Sequence, residues 1–98
     1  MKIIGSPLAV ERLEEIVNYI AKDSPSSAVK WANSVFTKIE SLEQFPYMGR
    51  VVPEINRNEI REILFKNYRI IYNVKGDAIS ILTVRHGKQL LPPEDLQN

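Results

Sequence analysis

The sequence contains no cysteine, and this absence excludes several kinds of chemistry at once. Disulfide bonds, thiolate nucleophiles and thiolate metal ligands are impossible, so the core must hold without cross-links, and the composition favours a reducing compartment. The single histidine, His86, provides no cluster of imidazoles, and the carboxylates lack the spacing of calcium or zinc loops. We therefore expect neither a metal site nor a cofactor.

Long apolar runs are also missing. No stretch approaches the ~18 residues that a membrane-spanning helix needs, and the N-terminal residues lack the apolar segment of a signal peptide. We therefore expect a cytoplasmic protein with no membrane partner. Its 98 residues, of which 44% are hydrophobic and 26% charged, predict a single globular domain over residues 1–98.

Charge is unevenly distributed, although the formal net charge is only +1. Residues 1–49 carry five basic and six acidic side chains, whereas residues 50–88 carry eight basic and four acidic ones. This asymmetry predicts a surface that faces a polyanion, and the alternative is a solvated basic face without function.

Two amphipathic helices are predicted in the first half. Ser6-Pro7 supplies a capping hydroxyl followed by a proline at the first helical position, and apolar residues then recur at three- and four-residue spacing to about Lys22. Ser24-Pro25 has the same capping hydroxyl and proline at the start of a second helix, and Pro46 is predicted to end that helix. The two helices should pair as a hairpin, because neither can bury its apolar stripe alone.

The second half has the two-residue period of β-strands. Residues 46–58 read as a connecting loop, and residues 60–65, 68–74 and 78–84 read as three strands of an antiparallel meander. Residues 2–4 form a further short apolar run that should join the same sheet. The predicted fold is therefore α+β, with order β-α-α-β-β-β and the helical hairpin on one face of a mainly antiparallel four-stranded sheet.

The turn at Gly76-Asp77 predicts which side chains share a face. A two-residue turn with glycine first pairs Lys75 with Ala78, and uninterrupted pairing then places Arg69 opposite Val84. In that register Arg69 and His86 lie on the same face of the sheet, away from the helices, whereas a three-residue turn would reverse the parity.

Five segments in order resemble the RelE/ParE superfamily of type II toxins, small proteins also known as plasmid-stabilisation proteins. The resemblance covers nearly the whole chain. It is carried by Phe45-Pro46-Tyr47-Met48-Gly49-Arg50, Val52-Pro53-Glu54, Ile60-Arg61-Glu62-Ile63, Tyr68-Arg69-Ile70-Ile71-Tyr72 and Val84-Arg85-His86-Gly87.

The resemblance implies a toxin that inhibits growth and is held inactive, in a hetero-oligomer, by a cognate antitoxin protein. RelE-like and YoeB-like members cut mRNA on the ribosome without metal, whereas ParE-like members poison DNA gyrase. The resemblance therefore leaves three alternatives open: a metal-independent endoribonuclease, a ParE-like gyrase inhibitor, or a catalytically silent binding module.

The resemblance also implies a catalytic set. Glu54, Arg69 and His86 match the glutamate, arginine and histidine of YoeB-like nucleases, and Arg61 matches a basic position one strand earlier. Metal-free RNA cleavage needs a base, an acid and a cation on the scissile phosphate, and carboxylate, imidazole and guanidinium groups suit these roles. Four other basic residues of the second half are candidate RNA-binding groups: Arg50, Arg57, Arg85 and Lys88.

The chain departs from the nuclease pattern at three positions. Gly87 stands where YoeB-like nucleases carry a tyrosine, and Ile60 and Glu62 stand where RelE-like nucleases carry lysines. A carboxylate at that place repels RNA, and these departures favour the ParE-like alternative.

Each candidate residue also has a structural alternative. Arg61 can form a surface ion pair with Glu59 or Glu62, and Arg69 can pack on the ring of Tyr47 or Tyr72. Glu54 can pair with a nearby arginine, either Arg50 or Arg57. His86 can end a strand and bond to a backbone carbonyl.

Overall fold

The computed structural model describes residues 1–87 and residue 95, so Lys88 lies outside the described residues. Its elements are β1 (Lys2–Gly5), α1 (Pro7–Asp23), α2 (Pro25–Glu40), a single 3₁₀ turn (Ser41–Glu43), β2 (Arg50–Val51), β3 (Ile60–Phe65), β4 (Tyr68–Lys75) and β5 (Ala78–His86). None of the described helices is both long and apolar enough to cross a membrane.

Both helices begin at the predicted caps. The Ser6 hydroxyl accepts a hydrogen bond from the Ala9 amide at 3.1 Å, and the Ser24 hydroxyl accepts one from the Ser27 amide at 3.2 Å. A proline follows each cap at the start of the helix, where its missing N–H costs nothing. The Ser24 amide also donates to the Ile20 carbonyl, so one residue ends α1 and begins α2.

Within the described residues the sheet has five strands in the order β1-β5-β4-β3-β2, which confirms the predicted α+β class and corrects the predicted strand count. The extra strand is β2, a two-residue segment inside the predicted loop that pairs antiparallel with β3. Two residues are too few to show a period, which is why the sequence pattern did not indicate this strand. The N-terminal β1 joins the sheet as expected and runs parallel to β5.

The main core lies between the helical hairpin and one face of the sheet. Trp31 lies in this core, 5% exposed, and its ring packs edge-on against Phe65 and Tyr68. The sheet contributes alternate residues of its central strands, which are Ile63, Ile70, Tyr72, Val74, Ile79, Ile81 and Val84. Ile70, Tyr72 and Val74 of β4 face the helices, so the prediction that Arg69 lies on the face away from them is confirmed.

The opposite face of the sheet carries a second, smaller core. Val52 from the 46–58 loop is fully buried there against Ile60, Ile71 and Leu82, with Ile55 at its margin. The loop therefore folds over part of the face that the sequence pattern left open, and this placement brings Glu54 next to the sheet.

A β-bulge changes the register between β4 and β5. The Gly76-Asp77 turn pairs Lys75 with Ala78 as predicted, but the register shifts between Ile71 and Tyr72. Beyond that shift Arg69 pairs with Arg85 instead of Val84, and His86 pairs with Tyr68. Directly paired residues share a face, so the prediction that Arg69 and His86 lie on the same face is wrong.

Candidate functional site

Arg69 lies on the face of β4 that points away from the helices, and its guanidinium is held by two carboxylates. Its Nε donates to Glu62 Oε1 at 2.7 Å, and Nη2 lies 2.6 Å from the same oxygen. On the outer edge, Nη1 and Nη2 each donate to one oxygen of Glu54 at 2.9 Å. The residue is only 5% exposed, so this arginine is buried and engaged on both edges.

The pairing extends to a fourth residue. Glu62 Oε2 accepts a hydrogen bond from Arg50 Nε, because Arg50 on β2 and Glu62 on β3 are register partners. Glu54, Arg69, Glu62 and Arg50 thus form a chain of alternating charge, which we call the ion network. The formal charge of the ion network is zero. Its two middle residues are buried, and its two end residues are partly exposed. The side chains of Glu62 and Arg69 are 0% and 6% exposed, whereas those of Glu54 and Arg50 are 32% and 59% exposed.

Local backbone structure places Glu54 at the network. The amides of Ile55 and Asn56 both donate to the Val52 carbonyl, at 3.1 Å and 2.8 Å, and Asn56 adopts a φ of 55°. Asparagine tolerates this left-handed conformation better than most residues. With Val52 anchored in the second core, the tight turn directs the Glu54 side chain to Arg69.

The ion network sets the protonation of Glu54. Hydrogen bonds from the Arg69 guanidinium lower the pKa of the Glu54 carboxyl from 4.5 to about 2, and burial opposes this shift. The same hydrogen bonds raise the pKa of Arg69 above its usual value. Glu54 is therefore a carboxylate with very low proton affinity, which is a poor starting point for a general base near neutral pH.

Arg61 holds the 46–58 loop against β3. Its Nη1 donates to the carbonyls of Gly49 at 2.9 Å and Tyr47 at 3.2 Å, and its Nε donates to the Asn58 carbonyl at 2.9 Å. The guanidinium also lies over the Tyr47 ring, 5.0 Å from the centroid. Within the described part of the chain it forms no ion pair with Glu59 or Glu62, the two partners that the sequence suggested, and it stabilises both ends of the loop instead.

A hydrogen bond between Gly49 and Tyr72 holds the start of the same loop against the sheet. The Gly49 amide donates to the buried Tyr72 hydroxyl at 3.1 Å, and a Cβ at position 49 would lie 2.7 Å from that hydroxyl and closer still to the Glu62 carbonyl. Burial raises the pKa of Tyr72. Only glycine allows the loop to approach the strand this closely.

His86 is exposed at the end of β5 and lies on the other face from Arg69. Its ring packs edge-on against Tyr68, with centroids 5.8 Å apart. On this side it lines an open groove with Arg12, Glu15 and Ile16 of α1. The structure therefore brings Glu54 and Arg69 together, and it does not bring His86 into the ion network.

The other basic candidates are dispersed. Arg85 Nη1 lies 3.1 Å from Asp95 Oδ2, and Asp95 is 2% exposed. Arg57 forms an exposed bidentate pair with Glu59 at 3.2 Å and 3.0 Å. No three His, Asp or Glu side chains within residues 1–87 and 95 group together as ligands for a metal ion.

Residues 3–91 match the family described as "ParE toxin of type II toxin-antitoxin system, parDE". The chain belongs to the ParE family of type II toxins. This confirms the predicted membership of the RelE/ParE superfamily.

Two known proteins are similar to this ParE-family chain. The curated protein named "Putative toxin Y4kP", from Sinorhizobium fredii (strain NBRC 101917 / NGR234), is 34% identical over 86 residues, covering 86% of this chain and 85% of the relative. A solved structure titled "Chromosomal ParDE TA system from P. aeruginosa" superposes with a TM-score of 0.73 at 21% identity, covering 88% of this chain and 95% of that chain. The latter likeness concerns the fold.

Two buried carboxylates, Glu62 and Asp95, were not named as site residues from the sequence. Glu62 was recognised only as a departure from the nuclease pattern and as a partner for Arg61, yet it is the buried centre of the ion network. A carboxylate inside an otherwise apolar strand, Ile60 to Phe65, is the signal that could have identified it. No local signal marks Asp95, whose partners Thr83 and Arg85 are ten or more residues away.

Proposed function

We propose that this ParE-family toxin inhibits growth by acting on DNA gyrase, and that it does not cut mRNA. A cognate antitoxin of the ParDE type neutralises it in a hetero-oligomer. The observation that carries the proposal is the state of Arg69, the residue that matches the arginine of YoeB-like nucleases.

Neutralisation of Arg69 argues against RNA cleavage. Stabilising a phosphorane-like transition state requires a cation with donors aimed at the phosphate oxygens. The outer edge of the Arg69 fork is occupied by Glu54 and the inner edge by Glu62. An RNA phosphate would have to displace a carboxylate and approach a site whose formal charge is zero.

The candidate acid and base also argue against RNA cleavage. A general base works best when its pKa lies near the working pH, and Arg69 lowers the pKa of Glu54 to about 2. His86, the candidate acid, packs against Tyr68 on the opposite face of the sheet. His86 and Arg69 do border one open groove at the ends of β4 and β5, but the Glu54 carboxylate that would serve as the base is bonded to Arg69.

A direct biochemical comparison tests the proposal. The purified chain is incubated with DNA gyrase and supercoiled plasmid, and separately with programmed ribosomes and mRNA. We expect gyrase-dependent linear DNA and intact mRNA. Cleaved mRNA, removed by Arg69→Ala in a protein that still folds, would overturn the assignment.

Growth assays complete the test. Induction of the chain alone should arrest growth and induce the DNA-damage response, while His86→Ala should remain as toxic as the wild type. Loss of toxicity in a folded His86→Ala protein would support the nuclease alternative. Absence of any growth effect from the wild-type chain would favour a silent binding module.

A further inference from the structure

Residues 45–48, which we call the apolar turn, expose three large apolar side chains within four successive positions. Phe45 is 61% exposed, Tyr47 49% and Met48 44%. No other stretch of four residues within 1–87 exposes three such side chains, since the others are spaced more widely along the chain. Single exposed apolar residues are ordinary on a protein surface, whereas a cluster of them marks a binding surface.

Hydrogen bonds hold the backbone of the apolar turn at both ends. The Phe45 amide donates to the Ser41 carbonyl at 3.2 Å, and the Met48 amide donates to the Phe45 carbonyl at 3.1 Å. Directly after the turn, the Gly49 amide donates to the Tyr72 hydroxyl at 3.1 Å. The exposed side chains therefore project from a backbone that is already ordered, which reduces the conformational entropy lost when a partner binds.

Arg61 orders the ring of Tyr47 and gives the apolar turn a positive charge. Its guanidinium lies 5.0 Å from the ring centroid, and its Nη1 donates to the Tyr47 carbonyl at 3.2 Å. The other described hydrogen bonds of this guanidinium end on neutral oxygens of Asn58 and Gly49. Among the described residues no carboxylate accepts from it, so its charge is available to a carboxylate of a partner.

The residues that flank the apolar turn keep the local charge positive. Arg50 follows the turn by two residues, and its side chain is 59% exposed. Glu43, the nearest acidic residue in sequence, lines a separate apolar groove with Val10 and Phe36, and none of residues 45–48 lines that groove. A partner that covers the apolar turn should therefore combine an apolar pocket with a negatively charged rim.

The ion network leaves recognition of the target to another surface. Arg69 is bonded to Glu54 and Glu62, so the position that matches the nuclease arginine is engaged by carboxylates of the chain itself. The apolar turn has the composition of a binding hot spot, in which aromatic side chains and arginine are enriched.

We propose that the apolar turn is the surface by which this toxin docks on DNA gyrase. The side chains of Phe45 and Met48 enter an apolar pocket of the gyrase protein, and a carboxylate at the rim of that pocket pairs with Arg61. The inference rests on the proposed function, because it names the contact through which that target is bound.

Alanine variants of two phenylalanines test the inference. Phe45→Ala removes the most exposed side chain of the apolar turn, and Phe36→Ala removes the same side chain from α2, where it is 51% exposed. Binding to immobilised gyrase holoenzyme is measured by surface plasmon resonance, and binding to the cognate antitoxin is measured in the same way. Circular dichroism checks that each variant is folded, and Met48→Ala is the second variant if Phe45→Ala is not.

We expect Phe45→Ala to raise the Kd for gyrase at least ~10-fold, as the loss of an aromatic anchor does, and Phe36→Ala to change it by less than ~2-fold. Met48→Ala should raise the Kd in the same direction, and neither variant of the turn should change the affinity for the antitoxin. The Kd of the wild type should also rise with salt, because Arg61 faces an opposite charge. An affinity that does not depend on salt would overturn the assignment of a charged rim.

The controls separate this inference from the proposed function. Equal gyrase affinity in the wild type, Phe45→Ala and Met48→Ala would refute the docking surface and leave gyrase as the target. A loss of antitoxin affinity with unchanged gyrase affinity would assign the apolar turn to the antitoxin and overturn the inference. A wild-type chain that does not bind gyrase would refute the proposed function and the docking surface together.

Discussion

Replacing Arg69 by methionine should lower the free energy of unfolding, because it breaks the ion network at its buried centre. Glu62 is completely buried, and the change removes both of its contacts with Arg69, which are 2.7 Å to Nε and 2.6 Å to Nη2. Of the described cationic contacts, only the one with Arg50 remains. Removing one partner of a buried ion pair costs ~3–5 kcal/mol, because the other charge stays buried. Since Arg50 remains bonded to Glu62, we expect a loss of about 3 kcal/mol, the lower end of that range.

Urea denaturation at pH 7 measures this loss. With a slope of about 1.5 kcal/mol per M, typical of small domains, the unfolding midpoint should fall by about 2 M. Arg57→Met is the matched control, because the Arg57–Glu59 pair is exposed and its loss should cost under ~1 kcal/mol.

A double variant separates burial of charge from loss of side-chain volume. Glu62→Met combined with Arg69→Met replaces the buried pair by apolar side chains, and such replacements are often neutral or stabilising. The double variant should therefore recover most of the midpoint lost by Arg69→Met. Wild-type stability in Arg69→Met, or a double variant less stable than the single one, would refute the assignment of Arg69 as a structural ion.

Three further predictions concern the loop and its anchor. Gly49→Ala should destabilise the protein by ~1–3 kcal/mol, because its Cβ would lie 2.7 Å from the Tyr72 hydroxyl, whereas Gly5→Ala meets only an ordinary contact at 3.5 Å and should be far milder in thermal denaturation. Tyr72→Phe removes the acceptor of the Gly49 amide and should cost ~1–2 kcal/mol in urea, while Tyr19→Phe, at a side chain 73% exposed, should cost nothing measurable. The folded pKa of Glu54 is lower than its unfolded value, so its contribution to stability is complete above pH 4.5 and is lost as the pH falls towards 2. Melting temperatures of Glu54→Gln should accordingly depend less on pH over that interval than those of the wild type, and an unchanged dependence would contradict the lowered pKa.

Local signals predicted the elements of this fold well. Ser6 and Ser24 cap the helices because a short hydroxyl side chain reaches the amide three residues later in any sequence context. The Gly76-Asp77 turn forms because glycine accepts a φ of 61° without a steric penalty. The family could also be predicted from the sequence, since the resemblance depends on five short segments and on their order along the chain.

The local pattern did not predict which face of the sheet each side chain of β5 lies on. One extra residue in β5 is enough to exchange the sides on which all later side chains emerge. The apolar doublet Ile81-Leu82 does change the phase of the alternation at the bulge, but such a doublet also occurs in strands that are buried on both faces. The sequence pattern by itself did not distinguish these two cases. His86 was therefore assigned to the wrong face although the turn that set the register was right.

The chain alone specified which charged residues occur and in what order, together with the helices, strands and turns that carry them, because these depend on neighbours within a few residues. The folded molecule decided which charges meet. Glu54, Glu62 and Arg50 reach their partners across separations of 15, 7 and 12 residues, through a loop, two strands and a register that only packing establishes. Coulomb energy and desolvation depend on distance in space and on burial, so the partners of Arg69 and its burial are properties of the tertiary structure that the order of residues does not show.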